Sequence, residues 1–129
     1  MKRSAWFIAV ALFAYMTFAQ EATQKHPKWQ APPDAAAKKN PVGDKPEVVA
    51  GGKKLFMRHC AECHNEDGSG LQDAANLQLP EVQKQTDGAL FWKITTGNVK
   101  NGMPPFSRLS DDERWQIVSF LRTLKPASQ

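Results

Sequence analysis

Both cysteines of this chain lie in one pentapeptide, CAECH at residues 60–64, in which a histidine directly follows the second thiol. Two thiols separated by two residues have four common chemical uses. They form a disulfide, supply half of a zinc site, act as a redox dithiol, or add to the two vinyl groups of a haem. The rest of the sequence decides between these chemistries.

The first three uses are poorly supported by the surrounding sequence. A structural zinc site takes four protein ligands. The remaining histidines are His26, in a polar N-terminal stretch, and His59, directly before the motif. A thioredoxin-type dithiol requires a βαβ unit, and no strand pattern precedes CAECH. A disulfide across two residues would constrain the unfolded chain very little. Covalent attachment of haem is therefore the favoured interpretation.

Covalent attachment of haem accounts for each position of the pentapeptide. One helical turn carries Cys60 and Cys63 to the two vinyl groups and places His64 beneath the iron. Such haems often take methionine as the second axial ligand. Met103 is the candidate, since it lies in the irregular segment NGMPPF, where two prolines hold an extended backbone. Met57 is too close to the attachment segment to reach the opposite face of the iron, and the other two methionines lie in the N-terminal leader.

Three segments carry the helical pattern that must position these residues. They cover residues 48–59, 87–96 and 111–124. The third begins with SDDE, a capping box, and the second follows Thr86 or Asp87 as its N-cap. Gly52 lies on the apolar stripe of the first helix, where glycine costs about 1 kcal/mol relative to alanine, so we expect another helix to pack closely there. Strand periodicity is absent, and the sequence predicts an all-α domain.

The chain divides by composition into three regions. Residues 1–19 combine a charged start, an apolar run and a small residue, Ala19, which is the pattern of an export signal. An uncleaved membrane anchor is the alternative for this region. Residues 20–46 contain five prolines and few large apolar residues, so we predict a flexible linker. Residues 47–129 are the predicted folded domain, which export would place in the periplasm.

The distribution of charge excludes one class of partner. The chain has a formal net charge of +4, but from Glu47 onward ten Lys and Arg residues are balanced by ten Asp and Glu residues. The excess of basic residues therefore belongs to the leader and the following stretch. A neutral domain without a basic face is not expected to bind nucleic acid.

Three stretches of the chain, taken in order, carry a family resemblance. GKKLFMRHCAECH, NGMPPF and LSDDERWQIVSFLRTL resemble the small bacterial mono-haem class I cytochromes c. The resemblance implies a cytochrome c-like fold, with three main helices plus loops wrapped around one covalent haem c. It implies thioether bonds to Cys60 and Cys63, with His64 and Met103 as axial ligands.

The resemblance also implies how the domain packs. In this family the first and last helices cross tightly through a glycine and aromatic residues. Here Gly52 and Phe56 are expected to meet Ile117 and Phe120. The residues expected to line the haem pocket are Ala75, Leu77, Trp92, Ile94 and Pro104.

The chain departs from the family at one point. Family members commonly have a proline whose carbonyl accepts a hydrogen bond from the ligand histidine. This chain has Ala75 at the best-matching position, with Pro80 as a second candidate. The backbone carbonyl that orients His64 is therefore left open by the sequence.

The resemblance predicts a one-electron carrier of the periplasm that is not an enzyme. Such a carrier would be monomeric and would exchange electrons with redox partner proteins, with membrane contact only through an uncleaved leader. The alternative is a tethered or fixed cytochrome subunit of a larger dehydrogenase or oxidase complex. A third hypothesis, an enzyme or sensor with an open iron site, requires that Met103 does not ligate.

Overall fold

A computed structural model describes residues 29–124. The helices are α1 (Pro33–Ala36), α2 (Pro46–His59), α3 (Ala61–His64), α4 (Pro80–Gln83), α5 (Asp87–Thr96) and α6 (Asp111–Leu121), with a 3-10 turn at Val99–Asn101. Within this part of the chain, the only β pairing is an isolated bridge between Asn98 and Met103. The prediction of an all-α fold with three main helices, here α2, α5 and α6, is confirmed.

Helices α2 and α6 cross at Gly52, as predicted. A Cβ atom at this position would lie 3.0 Å from Cβ of Phe120 and closer still to the Gln116 carbonyl. The missing side chain lets the two helices approach, and the Phe56 and Phe120 rings then lie 5.1 Å apart between centroids. Phe56 and Ile117 are both almost fully buried at this crossing. The crossing forms the centre of the core and fixes the end of α2, where CAECH begins.

Helices α5 and α6 begin at side-chain caps that the sequence predicts. Thr86 Oγ1 accepts a hydrogen bond from the Ala89 amide at 3.1 Å. Ser110 and Glu113 form a reciprocal capping box at the start of α6. Each cap satisfies amides that the first helical turn leaves without a partner. Leu90, Phe91 and Ile94 of α5 and Trp115, Ile117, Val118, Phe120 and Leu121 of α6 form most of the buried core.

Residues 29–45, here called the strap, pack against the helical domain. The Trp29 and Trp92 rings lie 6.4 Å apart between centroids, and the Lys93 ammonium lies 4.8 Å from the centroid of Trp29. Partial burial lowers the pKa of Lys93. Asn40 donates to the Ser119 hydroxyl at 2.9 Å, and Ser119 is only 3% exposed.

The strap differs from the flexible linker predicted for residues 20–46. That prediction rested on the scarcity of large apolar side chains. The strap is held instead by one tryptophan and by hydrogen bonds, such as that from Thr86 Oγ1 to the Ala36 carbonyl at 2.7 Å. Residues 20–28 of the predicted linker and the predicted leader, 1–19, lie outside the described residues. Every helix between residues 29 and 124 is too short or too polar to cross a membrane.

Candidate cofactor site around CAECH

The CAECH segment folds as a single turn that follows a break in the helix. Helix α2 ends with the bond from the Cys60 amide to the Phe56 carbonyl at 2.8 Å. The Cys60 carbonyl then accepts from the amides of Cys63 at 3.1 Å and His64 at 2.9 Å. This short turn, α3, carries two thiols and an imidazole together. Both cysteines are free thiols, so the structure contains no disulfide between them.

The raised pKa of Cys60 argues against a reactive dithiol. Cys60 is half-buried and Cys63 is exposed. Burial raises the pKa of the Cys60 thiol from 9.0 to about 12, and the nearby Cys63 adds to the rise. Since the nucleophile of a redox dithiol is the thiolate, a thiol that stays protonated at neutral pH is a poor nucleophile.

Between residues 29 and 124, no group of three or more His, Cys, Asp and Glu side chains is placed to hold a metal ion.

The His64 ring is oriented by a backbone carbonyl. Its Nδ1 lies 2.9 Å from the carbonyl oxygen of Ala75. Because a carbonyl only accepts, Nδ1 carries the proton and Nε2 keeps the lone pair that a ligand nitrogen needs. Of the two carbonyls left open by the sequence, the structure places that of Ala75 here, whereas Pro80 begins α4.

The loop after CAECH folds back to bring Ala75 to the histidine. The Gly70 amide donates to the His64 carbonyl at 2.8 Å, and the Leu71 amide donates to the Cys63 carbonyl at 2.9 Å. Gly70 has φ of +84°, and a Cβ atom there would lie 3.1 Å from the Ala75 carbonyl oxygen. A glycine is therefore required both by the backbone conformation and by the close approach of the loop. Glycines at 68 and 70 signal a tight loop in the sequence, but only the structure shows that Gly70 lies against Ala75.

Met103 lies in a short segment that follows the C-terminal end of α5 and returns to α5 through one backbone hydrogen bond. The Asn98 amide donates to the Met103 carbonyl at 2.8 Å, and the Met103 amide donates to the Asn98 carbonyl at 3.1 Å. The Phe106 amide then donates to the Ile94 carbonyl at 3.0 Å. The methionine is half-buried, and its backbone is fixed on both sides. Residues 98–106 are here called the Met103 segment.

The remaining pocket candidates lie in different surroundings. Ile94 is buried in the core, and Leu77 is half-buried against it. Trp92 is half-buried, and its ring contacts Trp29 of the strap. Pro104 is exposed, and its backbone packs against Gly97 at the end of α5. The structure therefore links Cys60, Cys63, His64 and Ala75 through one loop, and it links Met103, Pro104 and Ile94 through α5.

The donor set fits a covalently attached haem. Two unjoined thiols lie on the same turn as an imidazole whose Nε2 is available for ligation, as the CxxCH chemistry requires. Two apolar side chains of the following loop, Leu71 and Leu79, are 45% and 38% exposed. Leu71, whose amide donates to the Cys63 carbonyl, provides apolar surface beside the cysteine turn, which suits a porphyrin ring.

The chain matches a known family over most of the described domain. A family described as cytochrome C oxidase, cbb3-type, subunit III matches residues 47–121. The chain belongs to this family of c-type cytochromes. The prediction of covalently bound haem c is confirmed at the level of the family, and the cysteines of CAECH fit its attachment motif. The family indicates an electron-transfer protein rather than an enzyme.

Two of the named relatives differ in how much of their own length the match covers. The cytochrome c subunit of the cytochrome bc1 complex of Corynebacterium diphtheriae is 32% identical over 85 residues, which cover 64% of this chain and 30% of that subunit. Cytochrome c6 of Diacronema lutheri is 29% identical over 83 residues, which cover 57% of this chain and 92% of that protein. The chain thus spans less than a third of the bc1 subunit and nearly all of the cytochrome c6.

A solved structure shares the fold. Cytochrome cL from the marine methylotrophic bacterium Methylophaga aminisulfidivorans is 26% identical and superposes with a TM-score of 0.55. The match covers 63% of this chain and 55% of that one. The prediction of a cytochrome c-like fold is confirmed.

Proposed function

We propose that this protein is a one-electron carrier of the periplasm, in which Cys60 and Cys63 bind haem c and His64 and Met103 ligate its iron. The hydrogen bond between His64 Nδ1 and the Ala75 carbonyl carries the proposal. It fixes the tautomer in which Nε2 is a ligand, directly beside two free thiols.

The protein residues would set the reduction potential of the haem, and the haem itself would carry the electron. Haem c supplies the one-electron couple when bound. The Ala75 carbonyl raises the basicity of the His64 imidazole by accepting a hydrogen bond from Nδ1–H, which favours the oxidised form. The thioether of Met103 is a neutral, soft ligand, which raises the reduction potential. The Met103 segment follows α5 directly and returns to it through the bond from the Phe106 amide to the Ile94 carbonyl, which limits the backbone entropy that ligation would cost.

The N-terminal pattern supports the cellular compartment of this carrier, and the relatives bear on whether it works alone or in a complex. Residues 1–19 carry the pattern of an export signal, which directs the domain to the periplasm. The match to 92% of a cytochrome c6 supports a protein that works as a separate carrier with redox protein partners. The match to part of a bc1 cytochrome c subunit supports the second candidate, a tethered or fixed subunit of a larger complex.

The ligand assignment is tested by matched methionine variants. The full chain is expressed with the machinery that attaches haem c, and its mass, spectrum and reduction potential are measured. We expect a low-spin, six-coordinate haem in both oxidation states. Met103→Ala should lower the potential and let the reduced protein bind carbon monoxide. Met57→Ala, which removes a methionine that is 37% exposed on α2, should change neither property.

A five-coordinate haem in the unmodified protein would point to a different class of protein. Rapid binding of carbon monoxide to the unmodified reduced protein would mean an open iron site, as in a peroxidase or a sensor. Cell fractionation separates the two remaining candidates. A mobile carrier is recovered in the soluble periplasmic extract, whereas a subunit stays with the membrane fraction and migrates at the size of a complex.

A further inference from the structure

Arg114 is a charged side chain buried in the core, with only 7% of its surface exposed. Its guanidinium lies 4.8 Å from the centroid of the Phe91 ring, and Phe91 stacks on Trp115 at a centroid distance of 4.0 Å. At the start of its own helix it also contacts the Ser110 carbonyl and the Asp111 carboxylate. A buried cation is costly unless its donors are used, so each of its partners matters.

The hydrogen-bond partner of Arg114 outside its own helix is Thr95, which is on the same helix as Phe91. The Nη1 atom of Arg114 donates to Thr95 Oγ1 at 2.5 Å, and this hydroxyl donates in turn to the Phe91 carbonyl at 2.8 Å. Thr95 is in the last turn of α5. The hydrogen bond therefore ties the C-terminal end of α5 to the N-terminal end of α6.

That end of α5 is also the support of the Met103 segment. The chain leaves α5 through Gly97, at φ of +64°, where a Cβ atom would lie 2.6 Å from the Pro104 carbonyl oxygen. The segment starts with the Asn98–Met103 pair, and its far end returns to the Ile94 carbonyl. Both attachments of the segment are thus within three residues of Thr95. A shift of the last turn of α5 moves the backbone on either side of Met103.

We propose that Arg114 and Thr95 are positioning residues that hold the Met103 segment closed, so that the lifetime of Met103 ligation depends on their hydrogen bond. This inference rests on the proposed role of Met103 as an axial ligand. A hydrogen bond to a buried charge is stronger than a neutral one. Its loss is expected to raise the population of the opened segment about tenfold, since removal of one such bond in a core shifts a local opening equilibrium by that order.

The neighbouring threonine provides a matched control. Thr96 is in the same turn of α5, and its hydroxyl donates to the Trp92 carbonyl at 2.9 Å, four residues back. The Thr96 hydroxyl also makes a longer contact of 3.4 Å with the Gly97 carbonyl. Both threonines thus bond to their own helix, and only Thr95 also accepts from Arg114. Thr95→Val and Thr96→Val remove the same group from adjacent positions. Thr95→Ser keeps the hydroxyl and tests rescue.

The experiment uses the full-length, haem-loaded protein. The first readout is the rate at which imidazole binds to the ferric haem, which requires the sixth ligand to leave. The second is the weak far-red absorption band of methionine-ligated ferric haem. The third is hydrogen exchange at the Asn98 and Met103 amides. We expect Thr95→Val to raise the imidazole rate about tenfold and to lower protection at the two amides. Thr96→Val and Thr95→Ser should stay within twofold of the unmodified protein.

The outcomes separate an error in the role of Met103 from an error in the role of Arg114 and Thr95. If the far-red band is absent from the unmodified protein, the role of Met103 itself is wrong. If the band is present and Thr95→Val lowers the denaturation midpoint without changing the imidazole rate, Arg114 and Thr95 only stabilise the fold and the inference fails. If Thr95→Val does not yield folded protein, Arg114→Gln is measured in the same way. An unchanged imidazole rate in that variant also overturns the inference.

Discussion

Replacement of Gly52 by alanine tests the crossing of α2 and α6, on which the position of CAECH depends. The added Cβ atom would overlap the Gln116 carbonyl and lie 3.0 Å from Cβ of Phe120. A backbone carbonyl cannot rotate away as a side chain can, so the two helices must separate. Such separation would also disturb the contact between the Phe56 and Phe120 rings. We expect Gly52→Ala to destabilise the protein.

The expected magnitude follows from two opposing terms. Overpacking of a core costs about 1–3 kcal/mol, and a clash with backbone lies at the upper end of that range. Alanine in a helix is favoured over glycine by about 1 kcal/mol, which offsets part of the cost. The net loss should be about 2 kcal/mol. With a denaturant slope of about 3 kcal/mol per molar guanidinium chloride, the midpoint falls by about 0.7 M.

The neighbouring glycine supplies the control. A Cβ atom at Gly51 would meet only the end of the flexible Gln116 side chain, which can move. Gly51→Ala should therefore leave the protein as stable as before or more stable by up to about 1 kcal/mol. Both variants are measured as full-length, haem-loaded protein by far-ultraviolet circular dichroism. If Gly52→Ala is as stable as Gly51→Ala, the close approach at Gly52 does not determine how the helices pack.

Three further predictions concern the site and the strap. Gly70→Ala should displace the Ala75 carbonyl and lower the yield of haem-loaded protein, because φ of +84° is strained for alanine; an unchanged absorption spectrum and yield would contradict this. Asn40→Ala should cost about 1–2 kcal/mol in guanidinium denaturation, since it leaves a buried hydroxyl without its donor; an unaltered midpoint would show that the strap adds no stability. Joint replacement of Cys60 and Cys63 by serine should give a largely unfolded chain, as circular dichroism would report, because so small a domain lacks the core to fold without its cofactor; a well-folded, haem-free variant would refute that account.

Most of the secondary structure could be predicted because it depends on residues that are close along the chain. The capping box at Ser110 and Glu113 and the threonine cap at Thr86 are each completed within four residues. CAECH is also local, since one turn carries both thiols and the imidazole. Gly52 also predicted a contact from the local sequence, because a glycine on an apolar helical stripe indicates that another helix packs closely against it. These features gave the helices, the family and the chemistry of the site.

The strap shows where composition fails as a guide. Residues 29–45 contain few large apolar side chains, and a linker was therefore expected. The strap is held by specific polar contacts, among them the bond from Asn40 to Ser119, which joins residues 79 positions apart. A polar side chain looks the same in the sequence whether its partner is water or a buried hydroxyl.

The sequence by itself determined the attachment motif, the ligand candidates and the helices that carry them. Only the tertiary structure decided that the Ala75 carbonyl orients His64 and that Arg114 reaches Thr95 on another helix. The physical reason is the same in both cases. Every residue has a backbone carbonyl, and every arginine has five donors, so the choice of partner is made by the packing of distant segments rather than by the residue type.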